Sequence, residues 1–448
     1  MTTAPSWAPN VREANPESLN RPGRLPETFW AARPLFKHIR QAAHSEGCSG
    51  DVLFYSTLAR LSGMISHHYR AVTGIGGRAS INIFAAIVGA SGAGKSTGSS
   101  LTRALAPAPD EDFRDGLPVG SGEGIAEAFM GSVEEPTGEV VQRGKNAGDP
   151  VMRRVRKQVR HNAYFYVDEG QTIARLGERS GSVLGETLRR AAVGETLGQT
   201  NASEERTRYV PAGSYSLGLL VGFQPSTAVP VLADASTGTP QRFLWAWADD
   251  PSIPDKPPMW PGALSMHPGQ RRLDEPCDIK FPTRVREMLW EEKVARGRGE
   301  IEVPELDGHA GLIKVKVAAL LALLDNREHA TEEDWGLAET VWAASCGVRD
   351  NLVERAKREA AAERQREEDA RVLQVVREHE ATTDATVAVE RVARLVKKHA
   401  SHVGGITYGE LNRRLASRDR KILRKAIDLA EARDWVLEEG DRLCVKTP

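Results

Sequence analysis

Apolar residues recur along this chain with two periods. Ile81–Val88 (INIFAAIV) is apolar almost without a break and rich in branched side chains, which predicts a strand buried on both faces, the habit of a parallel sheet. Runs of the same kind at Ala163–Val167, Tyr215–Phe223 and Phe243–Trp245 predict further core strands. Elsewhere the period is 3.6 residues. From Pro26 to about Val72, the positions Phe29, Trp30, Leu35, Ile39, Val52, Leu53, Leu58, Leu61 and Ile65 predict two or three amphipathic helices. Further helices follow at about Lys95–Leu105, after a cap at Ser121–Gly124, and near Ser182–Ala192. Beyond Thr283, His309–Leu324 reads as an apolar helix, and Thr331-Glu332-Glu333-Asp334 as the capped start of another through Trp335 and Trp342. Strands alternating with helices predict an α/β fold built on a parallel sheet.

The breaks in these patterns divide the chain. Residues 1–25 show no periodicity and predict disorder. Residues 26–80 form a helical N-terminal region and 81–250 the sheet-bearing core. The proline-rich stretch 251–282 predicts a connection without secondary structure. Residues 283–347 suit a small helical lid on the core, from which Lys314 or Lys316 enters the site unless both are ordinary exposed lysines, the simpler account, and 348–380 a charged helical connector. In 381–448, helices at about Val387–His399, Leu411–Leu415 and Arg420–Ala432 precede a hairpin of Trp435–Leu437 and Arg442–Val445, the order of a winged helix. Its third helix exposes Arg420, Lys421, Arg424 and Lys425, where such folds touch nucleic acid.

Composition narrows the function classes. Net charge is −1 over 448 residues, so any nucleic-acid binding must use local patches. Gly131–Val159 is one candidate: it carries Arg143, Lys145, Arg153, Arg154, Arg156 and Lys157, and a solvated insertion is the competing account. No apolar run approaches the ~18–20 residues of a membrane span. Cys48, Cys277, Cys346 and Cys444 lie far apart without paired spacing. A cytoplasmic protein without a zinc module is expected.

The chemistry begins where the first core strand ends. Gly89-Ala90-Ser91-Gly92-Ala93-Gly94-Lys95-Ser96-Thr97 fits the phosphate-loop pattern at every constrained position. The glycines bring backbone N–H groups close to phosphate oxygens, Lys95 supplies an ammonium for the β- and γ-phosphates, and the Ser96 hydroxyl can ligate Mg²⁺. The pattern implies ATP and Mg²⁺ as cofactors. About 70 residues on, the strand Ala163–Val167 ends in Asp168-Glu169. Asp168 is placed to hold Mg²⁺ and Glu169 to take a proton from the attacking water. Gln224 ends the next core strand, where a polar side chain can reach that water. Arg242 opens the last one, where an arginine can complete a neighbouring subunit's site.

From Trp30 to about Ala344 the chain resembles the helicase-like ATPase portion of phage, plasmid and prophage primase–helicase proteins. The motif order, closed by a winged helix, is also similar to that of AAA+ minichromosome maintenance helicases. The resemblance implies a P-loop NTPase core, RecA-like or AAA+-like, and a replicative helicase of a phage or mobile element. It further implies a homo-oligomeric, hexameric ring with single-stranded DNA in its channel and a separate primase. Arg206 and Arg208 fall where those helicases carry a DNA-touching hairpin. Two departures keep the lineage open: Gln224 stands where Asn is usual, and no lid arginine occupies the second sensor position. A nucleotide-switched replication initiator and a remodelling or defence ATPase remain alternatives.

Overall fold

The computed structural model describes residues 21–143, 145–173, 183–199, 207–233, 238–265 and 274–446. The chain separates into two compact units, the first ending at Ala356 and the second beginning at Lys357. The first opens with helices α1 (Glu27–Ala32), α2 (Pro34–Ser45) and α3 (Gly50–Met64), then strands β1 (Tyr69–Val72), β2 (Arg78–Ala79) and β3 (Ile83–Val88). Next come α4 (Lys95–Leu105), β4 (Arg114–Leu117), α5 (Gly122–Glu127), β5 (Met130–Val140), β6 (Pro150–Gln158) and β7 (Asn162–Val167). They are followed by α6 (Leu184–Val193), β8 (Leu197–Gln199), β9 (Arg208–Val210), β10 (Ser216–Phe223), α7 (Pro225–Ala233) and β11 (Phe243–Trp247). Strand β12 (Cys277–Lys280) and helices α8 (Thr283–Gly297), α9 (Ala310–Leu324) and α10 (Glu332–Ala400) end the series.

Five of these strands form one sheet in the order β11–β3–β10–β7–β4, and every neighbouring pair is parallel. Successive side chains of a strand leave by opposite faces. Ile83, Ala85 and Ile87 therefore enter one core with the N-terminal helices and α9. Phe84, Ala86 and Val88 enter the other, with α5, α6 and α7.

Helix α3 is not amphipathic, as the sequence pattern suggested; all fifteen residues are buried. It lies against β10 so closely that a Cβ on Gly218 would sit 1.8 Å from the Ala59 carbonyl oxygen. The buried Arg60 in this helix has a partner for each guanidinium nitrogen. Its Nε donates to Ala106 O at 2.7 Å, and Nη1 and Nη2 donate to Asp115 at 2.5 and 3.1 Å. The guanidinium also packs over Phe113 and Tyr164, 5.3 and 5.6 Å from their ring centres.

Several expectations are corrected. The proline-rich stretch contains β12, which pairs in parallel with β1. Residues 21–25 are not disordered: Trp247 Nε1 donates to Pro22 O at 2.9 Å, and Arg21 lies over the Trp247 ring at 4.8 Å. The expected lid does not stand apart. Residues Ile313–Leu324 of α9 share one core with Phe29, Phe36 and Phe54. Lys316 is not exposed but 1% accessible. Its ammonium donates to Asn82 O at 3.0 Å and to Ala192 O, at the amino end of the sheet. The basic stretch 131–159 is the antiparallel hairpin β5–β6, and its charges are partly neutralised: Lys157 meets Glu135 at 2.5 Å and Arg156 meets Glu127. In the polar segment after α6, the described ends β8 and β9 pair antiparallel.

Helix α10 starts where its cap predicts. Asp334 accepts from Thr331 N and Oγ1 at 2.7 and 2.8 Å, and Thr331 Oγ1 accepts from Asp334 N at 3.2 Å. The connector and the helix expected at 387–399 are one continuous element with it, 69 residues long. The second unit adds β13 (Ile406–Thr407), α11 (Tyr408–Arg414), α12 (Ser417–Arg420), α13 (Leu423–Ala432), β14 (Val436–Glu439) and β15 (Arg442–Val445). Its strands form an antiparallel sheet in the order β13–β15–β14. Val392, Val396, Leu411, Leu423, Ile427 and Val436 share its core. Among the described residues, no helix is long and apolar enough to cross a membrane.

Burial pulls the Lys316 ammonium down to a pKa of about 7, with Arg242 adding to the effect, whereas the unfolded chain titrates near ~10.4. Between those values the unfolded chain binds more protons, so Lys316 makes stability rise with pH. Below about 7 both states are charged and the burial cost is complete. Urea midpoints of the wild type should therefore gain on those of Lys316→Met between pH 7 and 10. A constant difference would show that the ammonium is not held in the depressed state.

Candidate nucleotide-binding site

Ligands of parallel sheets bind outside the carboxyl ends of the strands, where the order of connections reverses. Here the loops after β3, β7 and β10 meet at that edge. β10 lies between the other two strands and ties their ends by backbone bonds. Gly89 N–H donates to Phe223 O at 3.0 Å, and Gly170 N–H to Gly222 O at 2.6 Å. Gly222 must lack a side chain: a Cβ would sit 2.5 Å from Asp168 O and 3.5 Å from Lys95 Cδ.

A cavity of about 300 Å³ opens above this junction. Ser91, Gly92, Ala93, Gly94, Lys95 and Ser96 form one wall, Asp168 and Glu169 another, and Gln224 a third. Gly92 and Gly94 have φ of 78° and 81°, values that side chains disfavour. Gly94 is the N-cap of α4 and brings no side-chain acceptor, so the first-turn N–H groups stay available to an anion. Gly89, Ala90 and Thr97 do not line the cavity. Gly89 and Ala90 instead offer carbonyl oxygens to Lys95 Nζ, at 2.9 and 2.7 Å. Burial lowers the pKa of Lys95, and the charges of Asp168 and Glu169 pull it back up. The ammonium is thus held beside the loop, and among the described residues Lys95 is the one cation that lines the cavity.

Asp168 and Glu169 are both exposed to the cavity. Tyr166, two residues earlier and on the same face of β7, donates its hydroxyl to Asp168 Oδ1 at 2.7 Å. Burial, then this bond, raises the phenol's pKa, so it remains a donor. The Ser96 hydroxyl and the Asp168 carboxylate are hard oxygen donors. They would suit a Mg²⁺ ion that arrives with the nucleotide. Among the described residues, no group of three or more His, Cys, Asp or Glu makes a metal site without a nucleotide. The Gln224 backbone caps α7 through Thr227: its N–H donates to Thr227 Oγ1 at 3.0 Å, which leaves the amide side chain at the cavity wall.

Sequence reasoning missed Tyr166, Gln171 and Thr227. The two-residue spacing of Tyr166 from Asp168 on one strand was the available signal. No residue of 283–347 lines the cavity, because α8 and α9 complete the core instead of covering the nucleotide loop.

The remaining candidates lie elsewhere. Arg242 immediately precedes β11, at the amino end of the sheet; β11 reaches the cavity end only at Trp247, paired with Val88. Its Nη1 donates to Gly238 O, while Nε is buried without an acceptor. Burial, then the nearby Arg189, lowers its pKa. Arg208 lies in β9 and its Nε donates to Glu127 Oε2 at 2.8 Å; Arg206 is outside the described residues. In the second unit, Arg420 belongs to α12 and Lys421 to the turn after it, so only Arg424 and Lys425 are on α13. All four are exposed. Arg420 donates to Leu415 O at 3.0 Å, and Arg424 faces Asp428 at 3.6 Å.

No known family model matches the chain, and no curated protein matches it. Among solved structures it is similar to that of a full-length MCM homologue from Methanopyrus kandleri, with 14% identity and a TM-score of 0.36. The match covers 75% of this chain and 63% of that one. A likeness this low carries no correspondence between residues.

Tyr166→Phe should leave metal-free nucleotide affinity unchanged. It should raise the Mg²⁺ concentration for half-maximal ATP turnover by roughly 3–10-fold, the equivalent of one side-chain hydrogen bond of about 1 kcal/mol. A Mg²⁺ titration of turnover decides it, and an unshifted midpoint would remove Tyr166 from the site.

Proposed function

We propose that this protein is an ATP-hydrolysing, ring-forming DNA motor, a replicative helicase of a phage or mobile element. One observation carries the proposal. The Lys95–Ser96 loop, the acidic pair Asp168-Glu169 and Gln224 line one cavity, and Lys95 is the one cation among its described lining residues. A site built only to bind nucleotide has no need of Glu169 there.

ATP would seat its phosphates on the N–H groups of residues 91–96. Lys95 exchanges its loop carbonyls for phosphate oxygens. Ser96 and Asp168 would hold Mg²⁺, which would supply positive charge against the phosphates. Glu169 accepts the proton of the attacking water and the Gln224 amide orients that water. Arg242 lies at the far end of its own sheet, so it acts on the site of a neighbouring subunit in a homo-oligomeric, hexameric ring. The hairpin β5–β6 and the pair β8–β9 bear arginines and lysines suited to a single strand passing through that ring. The second unit has the helix, strand, helix and hairpin order of a winged helix, which presents Arg424 and Lys425 to DNA phosphates. A separate primase would supply primers.

Glu169→Gln should retain ATP binding and lose roughly 10²–10⁴-fold in turnover, the span of general base catalysis. Steady-state turnover with and without single-stranded DNA, with Lys95→Ala as blank, tests the motor. Stimulation by DNA is expected. A DNA-independent rate would overturn the motor in favour of a nucleotide-switched initiator or a remodelling ATPase.

Arg242→Ala should abolish turnover without abolishing nucleotide binding. Mixing it with Lys95→Ala should restore part of the activity, because mixed rings contain sites with both groups intact. Mixtures that stay inactive would rule out the shared site.

A further inference from the structure

We propose that the cavity between α8, the β1–β2 turn and the start of α9 binds a small monocarboxylate with an apolar tail. The cavity measures about 270 Å³, roughly nine water volumes of ~30 Å³ each. None of its lining residues lines the nucleotide cavity, so the site goes beyond the ATPase reading and does not depend on it.

Helix α8 stands off the core along this cavity. Val285, Leu289, Glu292 and Arg296 recur at helical spacing and share one face. Only Val285, among the fifteen residues of α8, is buried; the other three line the cavity. Ile75, Leu312 and Val315 line it from the β1–β2 turn and from α9. Ile75, Leu289 and Leu312 are left half-buried. Protein interiors close up around few voids larger than a water molecule, and an apolar cleft with a few polar groups at its edge has the character of a ligand site.

The polar groups decide the charge of the ligand. Lys293, Arg296 and His309 line the cavity, and Glu292 is the one acid among its described lining residues. Arg296 pairs with Glu292 and donates to Gly308 O at 3.3 Å, so its fork is occupied. Lys293 is exposed at the rim and, among the described residues, has no carboxylate partner. The ring nitrogens of His309 likewise have no hydrogen-bond partner there. Burial, then Arg242, Lys316 and Arg296, hold the His309 imidazole down to a pKa of about 4, so at neutral pH it is an uncharged ring with one N–H to donate. Glu195 offsets part of the charge of Arg242, yet the charges that act on His309 are positive. His309 is also the N-cap of α9 and supplies no side-chain cap, which adds to the preference for an anion.

One negative charge beside Lys293 and His309, with a tail against Ile75, Leu289, Leu312 and Val315, satisfies both halves of the cavity. A phosphate dianion is the poorer fit, because the arginine fork that would clasp it is already taken. A cationic amphiphile would meet Lys293 without a free acid.

The test uses the full chain without nucleotide and straight-chain carboxylates as probes, followed by titration calorimetry. Affinity should rise roughly 3–4-fold per methylene from butanoate to octanoate as the tail fills the cavity. Octanol and octylammonium should bind more weakly than octanoate by ~10-fold or more, the worth of a hydrogen bond to a charged group. Lys293→Glu, at an exposed position, should weaken octanoate by roughly 5-fold and leave octanol unchanged. Gly311→Leu should abolish octanoate binding, since a Cβ there already lies 3.4 Å from Leu289 Cδ2 and a longer side chain fills the cavity. If that variant fails to fold, Lys293→Glu decides alone. No gain with chain length, or equal binding of octanol or octylammonium, would overturn the proposal. So would octanoate affinity unchanged by Lys293→Glu, or inorganic phosphate binding as tightly as octanoate.

Discussion

Strand β10 is where the structure has least freedom. It is buried on both faces and has neighbours closer than a side chain permits. At Gly218 the backbone of α3 presses onto it, and at Gly222 the Asp168 carbonyl and the Lys95 side chain do. One strand therefore sets both the depth at which α3 lies on the sheet and the spacing between phosphate loop and acidic pair. The backbone bonds from Gly89 to Phe223 and from Gly170 to Gly222 fix the height of the two loops against the same strand end. The cavity is positioned by main-chain contacts before any side chain contributes, and such contacts tolerate change in the surrounding surface.

Much of this was legible in the sequence, for a specific reason. Parallel core strands are buried on both faces, so Ile83–Val88 and Ser216–Phe223 appear as unbroken apolar runs, and the chemical groups sit at their carboxyl ends. What could not be read was partnership. α3 looked amphipathic because Arg60, Thr57 and Ser56 interrupt its apolar residues, yet Arg60 is met by Asp115 and Ala106, and Thr57 by Leu53 O at 2.7 Å. Lys316 looked exposed for the same reason: a lysine in an apolar helix finds acceptors only through Asn82 and Ala192, both distant in sequence. The hairpin β5–β6 was hidden because its alternation is of charge and small polar residues, without an apolar face.

One miss had a signal that was passed over. From Val348 to Val403 the sequence contains neither glycine nor proline, so nothing interrupts α10 between the charged connector and the helix that opens the last unit. The supposed lid failed differently. Its helices have the right period, but period cannot say which surface a helix covers, and burial of Ile313–Leu324 against the N-terminal helices was the stronger demand.

The placement of Arg242 follows from strand polarity. In a parallel sheet, residues that precede a strand and residues that follow one stand at opposite edges. A phosphate loop that follows β3 and an arginine that precedes β11, its neighbour, cannot meet within one chain, although they are a strand's width apart in the sheet. Among the described residues, Asp168, Glu169 and Lys95 line the cavity at one edge, while Arg189 and Arg242 stand beside Gly238 at the other, with Glu195 near enough to raise the pKa of Arg242. The role proposed for Arg242 therefore requires a second copy of the chain, and a closed ring is one arrangement that supplies head-to-tail contact at every interface.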